Sequence, residues 1–219
     1  MTDSRDRILT CACDLFLRHG LDGFSMRRVA RSLGVTPPAL YRHYEGREEL
    51  LHAVLGEGYK LLSQYLYTAL AGSTPLERFR LATDAYLDFA LENARYYSVM
   101  YALPEVLGLE DCDGEAAPEM MAVHHFWNDR VRDCMDEGIL REGDPEAVGL
   151  TLWAHAFGLI SIYHRGMLPV DEASFRGLFW DSSHRLLQGL GTDAYVSDGF
   201  RGRAATHAPA AVIPFPESV

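Results

Sequence analysis

The sequence predicts an all-α protein, and three observations support this fold class. Apolar residues recur at helical spacing along most of the chain, as in Ile8, Ala12 and Phe16. Serine, threonine and proline precede several of these periodic segments, and glycine follows them, as at helix starts and ends. No stretch shows the strict alternation of a strand. With 219 residues the chain can form one or two domains.

Three short helices are predicted within the first 46 residues. The first ends at about residue 20, the second covers residues 25–33, and the third covers residues 36–46 in about two turns. In the third helix, Thr36 is expected to cap the backbone with its hydroxyl, and Pro37 suits the first helical position, where no N–H donor is needed.

A longer helical region follows over residues 47–190. Six helices are predicted in it, over about 47–70, 75–93, 95–102, 119–137, 145–165 and 171–190. Thr74-Pro75-Leu76-Glu77 is a capping box, and Gly56 and Gly58 are expected to soften the first of the six helices. From residue 191 to 219, Gly, Ala and Pro mix without periodicity, which predicts a mobile tail.

Charge is distributed unevenly along the chain, whose net charge is −11. Residues 1–47 hold eight arginines against five acids, whereas the remaining residues hold 12 basic and 26 acidic groups. Nineteen of the twenty basic residues are arginine, which binds phosphate and guanine with two parallel hydrogen bonds. A small basic head on a large acidic body is therefore predicted.

The third helix has one face suited to the DNA major groove. Leu40 and Tyr44 can anchor it to the two preceding helices, which leaves the opposite side exposed. On that side arginine can pair with guanine, while alanine and proline can contact a thymine methyl group. A solvated helix in an ordinary bundle is the alternative, and the arginine bias of the head favours nucleic-acid binding. The exposed residues would be Pro38, Ala39, Arg42 and His43, with Arg27 and Arg28 beside them.

The stretch FSMRRVARSLGVTPPALYRHYEGREELL (24–51) resembles the DNA-binding signature of the TetR family of bacterial transcriptional regulators. The preceding ILTCACDLFLRHGLDG resembles that family's first helix, so the resemblance covers about residues 6–54. It implies a three-helix DNA-binding head (1–46) with a helix-turn-helix, followed by a larger helical domain (47–190) that binds a small effector and dimerises. YLDFALENARYYSVMY and LWAHAFGLISIYHRG resemble one subgroup of the family's effector domains.

The resemblance also implies residue roles. The positions that match the family's base-facing residues are Arg27, Pro37, Pro38, Ala39 and Arg42. Those that match its phosphate-facing residues are Ser25, Tyr41, His43 and Arg47. Arg47 stands where the family usually has lysine, and Pro38 stands where a small residue is frequent, which removes a backbone donor.

The predicted helix 145–165 is apolar almost all round, so it is expected to be buried on every side. The resemblance implies that this helix and 171–190 form a four-helix interface in a homodimer, and burial within one chain is the alternative. Dimerisation would set two recognition helices one turn of DNA apart, or a multiple of it, and so let the protein read a palindrome.

Aromatic residues of the larger domain are candidates for lining an effector pocket, and simple core packing is the alternative for each. They are Tyr96, Tyr97, Met100, Tyr101, Phe126, Trp127, Trp153 and Phe157. His124, His125 and His155 could supply a polar corner, but their spacing does not predict a metal site.

Other classes of function lack support in the sequence. It contains no nucleophile elbow, phosphate loop, zinc motif or cofactor fingerprint, so neither an enzyme nor a cofactor is predicted. The longest apolar run, residues 150–163, is shorter than the roughly 20 residues of a membrane span, and the polar start predicts a cytoplasmic protein. The predicted function is a ligand-controlled repressor. The alternative is a helical module whose basic head binds an acidic protein.

Overall fold

The computed structural model describes residues 4–101, 117–193 and 195, and these ranges are almost entirely helical. The helices are α1 (Ser4–His19), α2 (Met26–Leu33), α3 (Pro37–Leu40), α4 (Arg47–Tyr67), α5 (Pro75–Glu92), α6 (Ala94–Met100), α7 (Ala117–Asp136), α8 (Pro145–His164) and α9 (Glu172–Leu190). Short 3-10 turns cover Leu21–Gly23 and Thr68–Ala71. Because the only β pairing within the described ranges is an isolated bridge between Leu140 and Gly191, the all-α prediction is confirmed.

Two compact units divide the chain. Unit 1 comprises residues 1–70 and 81–125, and unit 2 comprises residues 71–80 and 126–219. The predicted head therefore packs in one unit with α4 and α6, where α1 contacts both α2 and α4. The packed part of unit 2 extends past residue 190, because the Thr192 N–H donates to Ile139 and Tyr195 is buried. Most of the predicted tail lies outside the described residues.

The predicted recognition helix α3 begins where the two prolines indicate and ends earlier than expected. Thr36 is extended at the N-cap, but its hydroxyl makes no capping hydrogen bond. The α-helix covers one turn, and the Tyr41 N–H lies 3.4 Å from the Pro37 oxygen. The next turn is tighter, with a 2.8 Å hydrogen bond from His43 N–H to the Leu40 oxygen. Gly46 is the N-cap of α4 and not the end of α3.

Gly58 brings α4 and α6 close together. A Cβ atom added at Gly58 would lie 3.0 Å from Met100 Sδ and 3.1 Å from the Tyr96 ring. The next residue of α4 also holds α6, because the Tyr59 hydroxyl donates to the Met100 oxygen at 3.3 Å. The α4 helix continues without a break through Gly58, so the structure shows no interruption at this residue. The glycine instead allows α6 to pack closely against α4.

Unit 2 has its own apolar core. The predicted capping box forms at its start, where the Glu77 N–H donates to Thr74 Oγ1 at 3.1 Å. The α8 and α9 helices pack through stacked rings of Tyr163 and Phe175, whose centroids lie 4.0 Å apart. The buried core consists of Phe79, Val131, Cys134, Met135, Leu140, Leu187 and Tyr195.

The α8 helix is not buried on every side, contrary to the sequence-based expectation. One side of α8 faces the core of unit 2, the unit to which α8 belongs. Leu152 packs against this core, and Ile160 is fully buried. The other side carries a stripe of Leu150, Trp153 and Phe157, here called the α8 stripe, of which Leu150 is 63% exposed and Trp153 37% exposed. By length and composition alone the whole 20-residue helix could also cross a bilayer, although the apolar run 150–163 within it is shorter than a membrane span. Full burial fails because one chain covers only one side of this helix.

Candidate functional site

The head exposes a basic surface beside the start of α3. Leu40 and the Tyr44 ring are both buried, and they anchor the segment 37–44 to the rest of the head. Around them the side chains of Arg27, Pro38, Tyr41 and Arg42 are exposed, and we call these four residues the recognition face. Tyr41 is 53% exposed, so its ring is accessible on this surface. Pro37, Ala39 and His43 are half-buried at its edge.

Ser25 holds the start of α2 at the edge of this surface. Its backbone is extended, and its hydroxyl accepts a hydrogen bond from the Arg28 N–H at 3.3 Å. A serine hydroxyl that accepts at an N-cap still has its own proton to donate. Ser25 can therefore cap the helix and donate to an anion at the same time.

The arginines of the recognition face differ from the paired arginines of unit 2. Within the described ranges, neither Arg27 nor Arg42 forms an ion pair or a side-chain hydrogen bond. In unit 2, by contrast, Arg130 pairs with Asp133 at 3.1 Å and Arg176 pairs with Glu172 at 2.9 Å. The recognition face thus presents positive charge that no nearby carboxylate neutralises.

Two further arginines of the head are engaged within the protein. The Arg5 guanidinium lies 3.4 Å from Glu49 and 4.6 Å from the centre of the Tyr44 ring. Arg47, predicted to face phosphate, lies over Phe24 with 6.0 Å between guanidinium and ring centre. Such cation–π contacts hold a guanidinium in place without neutralising it. Glu48 and Glu49 directly follow Arg47 in the first turn of α4, and their carboxylates lower the local positive potential.

Three tyrosine hydroxyls meet in unit 1. The hydroxyl of Tyr86 lies 3.3 Å from that of Tyr97 and 3.4 Å from that of Tyr101. Burial raises the pKa of Tyr97, so this hydroxyl stays protonated and able to donate. Tyr86 was not among the predicted pocket residues, although its position on the apolar side of the helix 75–93 was a signal in the sequence. We call these three residues the tyrosine cluster.

Tyr96 and Met100, also predicted for the pocket, connect α6 to α1 and α4. The Tyr96 ring lies 6.3 Å from Phe16 of α1, and its hydroxyl hydrogen-bonds with Cys13 of the same helix. Burial raises the pKa of both the Tyr96 hydroxyl and the Cys13 thiol, so both are neutral. The edge of Tyr96 also lines a groove of about 500 Å³ between α1, α4 and α6.

The other four predicted pocket residues lie in unit 2. Phe126 lies under the Arg130 guanidinium at 4.9 Å, and Trp127 packs edge-on against Phe79 with 6.2 Å between ring centres. Trp153 and Phe157 stack on each other at 5.2 Å within the exposed α8 stripe. The structure therefore separates the eight predicted residues into a group in unit 1 and a group in unit 2, and each group is described by its own contacts.

The histidines do not assemble into a metal site within the described ranges. His124 and His125 are exposed, and their ring centres lie 6.0 Å apart. His155 is half-buried on α8, where its Nε2 atom has no hydrogen-bond partner among the described residues, and burial lowers its pKa. No group of three His, Cys, Asp or Glu residues in the described part of the chain is arranged to hold a metal ion.

Two family models match the chain. The model for bacterial regulatory proteins of the tetR family matches residues 8–54, which contain α2, α3 and most of α1. The model for the tetracyclin repressor-like C-terminal domain matches residues 79–181. Together the two matches cover both the head and the helices that carry the predicted pocket and dimer residues.

Curated relatives of the chain are named as HTH-type transcriptional regulators. The chain is 26% identical to the HTH-type transcriptional regulator Rv1816 of Mycobacterium tuberculosis, over 84% of this chain and 92% of that protein. It is 29% identical to the HTH-type transcriptional activator FasR of Mycolicibacterium smegmatis, over 45% of this chain and 46% of that protein. The chain thus spans less than half of FasR and most of Rv1816.

Solved structures share the fold. A protein of unknown function from Rhodococcus sp. RHA1 matches with a TM-score of 0.76 and 24% identity, over 88% of this chain and 97% of that chain. The ketosteroid transcriptional regulator KstR2 of Mycobacterium tuberculosis matches with a TM-score of 0.60 and 17% identity, over the same shares. Sequence, family models and fold agree, and the chain is a helix-turn-helix transcriptional regulator that belongs to the TetR family.

Proposed function

We propose that this regulator is a repressor that binds a palindromic operator as a homodimer and leaves it when a small effector binds. The observation that carries this proposal is the recognition face, whose Arg27 and Arg42 are exposed and unpaired among the described residues. An exposed arginine without a carboxylate partner is free to pair with guanine, and the adjacent Pro38 and Ala39 offer apolar surface to a thymine methyl group. The alternative function, a module that binds an acidic protein, would require the exposed arginines but not the apolar surface beside them.

The proposed dimer forms through α8 and α9. Because one chain leaves the α8 stripe exposed, and exposed apolar area costs about 25 cal/mol per Å², a second copy of this helix pair would stabilise the protein. This assigns Trp153 and Phe157 to the interface and not to the effector pocket. It also places α8 between subunits instead of in a bilayer, as suits a cytoplasmic regulator.

The proposed effector site lies among those predicted pocket residues that belong to unit 1. The tyrosine cluster can donate to and accept from a polar group of the effector. Tyr97 and Tyr101 belong to or adjoin α6, the helix that Gly58 brings against α4. An effector that moves α6 would act on α1 through Tyr96 and on α4 through Met100. A coupling of about 1–3 kcal/mol would weaken DNA binding roughly 5- to 150-fold.

Whether the regulated genes are repressed or activated is a separate part of the proposal. FasR is named an activator, and the chain resembles 46% of it, so activation is the second candidate. A reporter gene behind the bound promoter distinguishes the two. Deleting the regulator should raise expression if it represses, and lower expression if it activates.

The test of DNA reading is the substitution Arg42→Ala. Genomic fragments that bind the protein are first selected, and affinity is then measured for the selected site and for its single-base-pair variants. We expect a loss of about 1–3 kcal/mol and relaxed preference at one base pair per half-site. Arg31→Ala is the matched control, because Arg31 is an exposed arginine on α2 outside the predicted set. If Arg42→Ala leaves affinity and preference as they are in Arg31→Ala, the assignment of this face to base reading is wrong.

A further inference from the structure

A narrow cleft separates the start of α1 from the recognition segment. Its volume is about 160 Å³, and both elements supply its walls. Ser4 and Arg7 line it from α1, while Arg42 and His43 line it from the α3 side. Ile8 and Leu40 contribute to an apolar floor. All of these residues belong to unit 1.

The rim of this cleft is basic. Its lining contains two arginines and a histidine and no carboxylate. Arg7 is exposed, and within the described ranges it forms neither an ion pair nor a hydrogen bond through its side chain. Arg5, two residues earlier, differs because Glu49 and Tyr44 already hold it. Arg7 is therefore the arginine in the first two turns of α1 that can reach an external anion.

The size of the cleft limits what can occupy it. Sites for drug-sized ligands usually measure about 300–1,000 Å³, so this cleft is too small for such an effector. One phosphodiester group with part of its sugar is a suitable occupant, since the basic rim can hold the phosphate and the apolar floor can contact the deoxyribose. Arginine, serine and histidine are among the side chains that supply phosphate contacts in DNA complexes.

The cleft lies beside the residues proposed to read bases. Ala39 and Arg42 line it and also belong to the predicted base-facing set. A phosphate held there would flank the base pairs contacted by α3 and would fix how deeply α3 enters the groove. Phosphate contacts position a protein on DNA in this way without reading sequence.

We propose that Arg7, together with Ser4 and His43, holds one backbone phosphate of the operator in this cleft, so that the DNA interface extends from the helix-turn-helix onto α1. The inference rests on the proposed DNA-binding function and adds Ser4 and Arg7 to its contacts. The same chemistry would also accept free inorganic phosphate, and the experiment below separates these two sources.

The test compares Arg7→Ala, Arg7→Lys and Arg18→Ala on the selected operator and on unrelated DNA across about 50–200 mM salt. Arg18 is the matched control, because it is an exposed arginine at the other end of α1 and does not line the cleft. Loss of a charged phosphate contact should lower affinity roughly tenfold or more in Arg7→Ala, alike for all sequences. The slope of log affinity against log salt should flatten by about 0.9 for each Arg7, and so by about 1.8 in a dimer. Arg7→Lys should keep most of the slope, and Arg18→Ala should resemble the wild type.

A methylphosphonate scan of the operator identifies the phosphate. Neutralising one linkage per half-site should weaken the wild type and leave Arg7→Ala unaffected at that linkage. If Arg7→Ala retains wild-type affinity and slope while Arg42→Ala is impaired, the inference is wrong and the proposed function stands. If no linkage distinguishes the two proteins, but inorganic phosphate inhibits the wild type more than chloride of equal ionic strength and spares Arg7→Ala, the cleft holds free phosphate and the inference is also wrong. If the wild type binds no DNA specifically, both proposals fail.

Discussion

The recognition face and the α8 stripe are both uncovered in the single chain, but their chemistry is opposite. The first is basic and polar, with Arg27 and Arg42 exposed in water. The second is apolar, with Leu150 and Trp153 exposed. Water solvates a guanidinium well, whereas it solvates apolar surface at a cost of about 25 cal/mol per Å². One surface is therefore stable without a partner, and the other is not.

This difference indicates two kinds of association. A charged surface that is well hydrated can gain and lose a polyanion as conditions change, which is what a regulator of transcription needs. An apolar stripe favours a partner that remains bound, because separation exposes it again. We therefore expect a dimer that persists without DNA, and DNA binding that depends on salt and on the effector. Three substitutions test this comparison, in decreasing order of expected effect.

A charge on the α8 stripe should have the largest effect. Leu150→Glu would bury an unpaired carboxylate at the proposed interface, at a cost of about 3–5 kcal/mol, and should weaken dimerisation at least about 100-fold. Sedimentation velocity measures the change, and operator affinity should fall with it. Leu70→Glu is the matched control, because Leu70 is 51% exposed in unit 1. A Leu150→Glu protein that sediments as the same dimer as Leu70→Glu would mean that the α8 stripe is not the interface.

A methyl group at Gly58 should have an intermediate effect, since it tests the packing beneath the head. The new Cβ would approach Met100 Sδ at 3.0 Å and the Tyr96 ring at 3.1 Å, and such overpacking costs about 1–3 kcal/mol. The gain in helix propensity offsets about 0.5–1 kcal/mol of this cost, so Gly58→Ala should destabilise the fold by up to about 2 kcal/mol. Urea unfolding measures it. Gly189→Ala is the control, because nothing lies within 4 Å of its added Cβ and alanine favours helix by about 0.5–1 kcal/mol. Equal stability of the two variants would contradict the close α4–α6 contact.

The smallest effect is expected from acidification at His155 on α8. Burial lowers the pKa of His155 in the folded protein, so below about pH 6.5 the unfolded chain binds a proton first. The stability contribution is complete above that pH and is lost as the pH falls through the folded-state pKa. His155→Leu should therefore lose less thermal stability than the wild type between about pH 8 and pH 5.5. His124→Leu, a substitution at an exposed histidine, is the matched control. If His155→Leu shows the same dependence of thermal stability on pH as the wild type, His155 is not the source of that dependence.

Local signals in the sequence correctly predicted most helix boundaries. Pro37 sets the start of α3 and Ser25 caps α2, because a proline ring and a capping hydroxyl act within one helical turn. The end of α3 was missed because it depends on how Leu40 and Tyr44 fit against the rest of the head, which is a tertiary contact. The position of Arg7 was not predicted for the same reason, since nothing in the local sequence of α1 shows that Arg7 and Arg42 line the same cleft.

The aromatic residues show where periodicity stops being informative. Tyr97, Trp127 and Trp153 all lie at apolar helical positions, and all three were equally good pocket candidates. The structure places the first in a hydroxyl cluster, the second against Phe79 and the third on an exposed stripe. Spacing along one helix shows which residues share a side, but it does not show what covers that side.

The sequence by itself determined the all-α class, the family, the position of the helix-turn-helix and the basic character of the head. The fold class and the basic character follow from side chains that act on their neighbours within a few residues and from charge that can be counted, whereas the family was implied by the resemblance of residues 6–54. Only the tertiary structure decided that α6 joins the head in one unit through Tyr96, that Gly58 permits that contact, and that α8 leaves one apolar side uncovered. Each of these depends on which helices meet, and residues far apart in the chain decide that together.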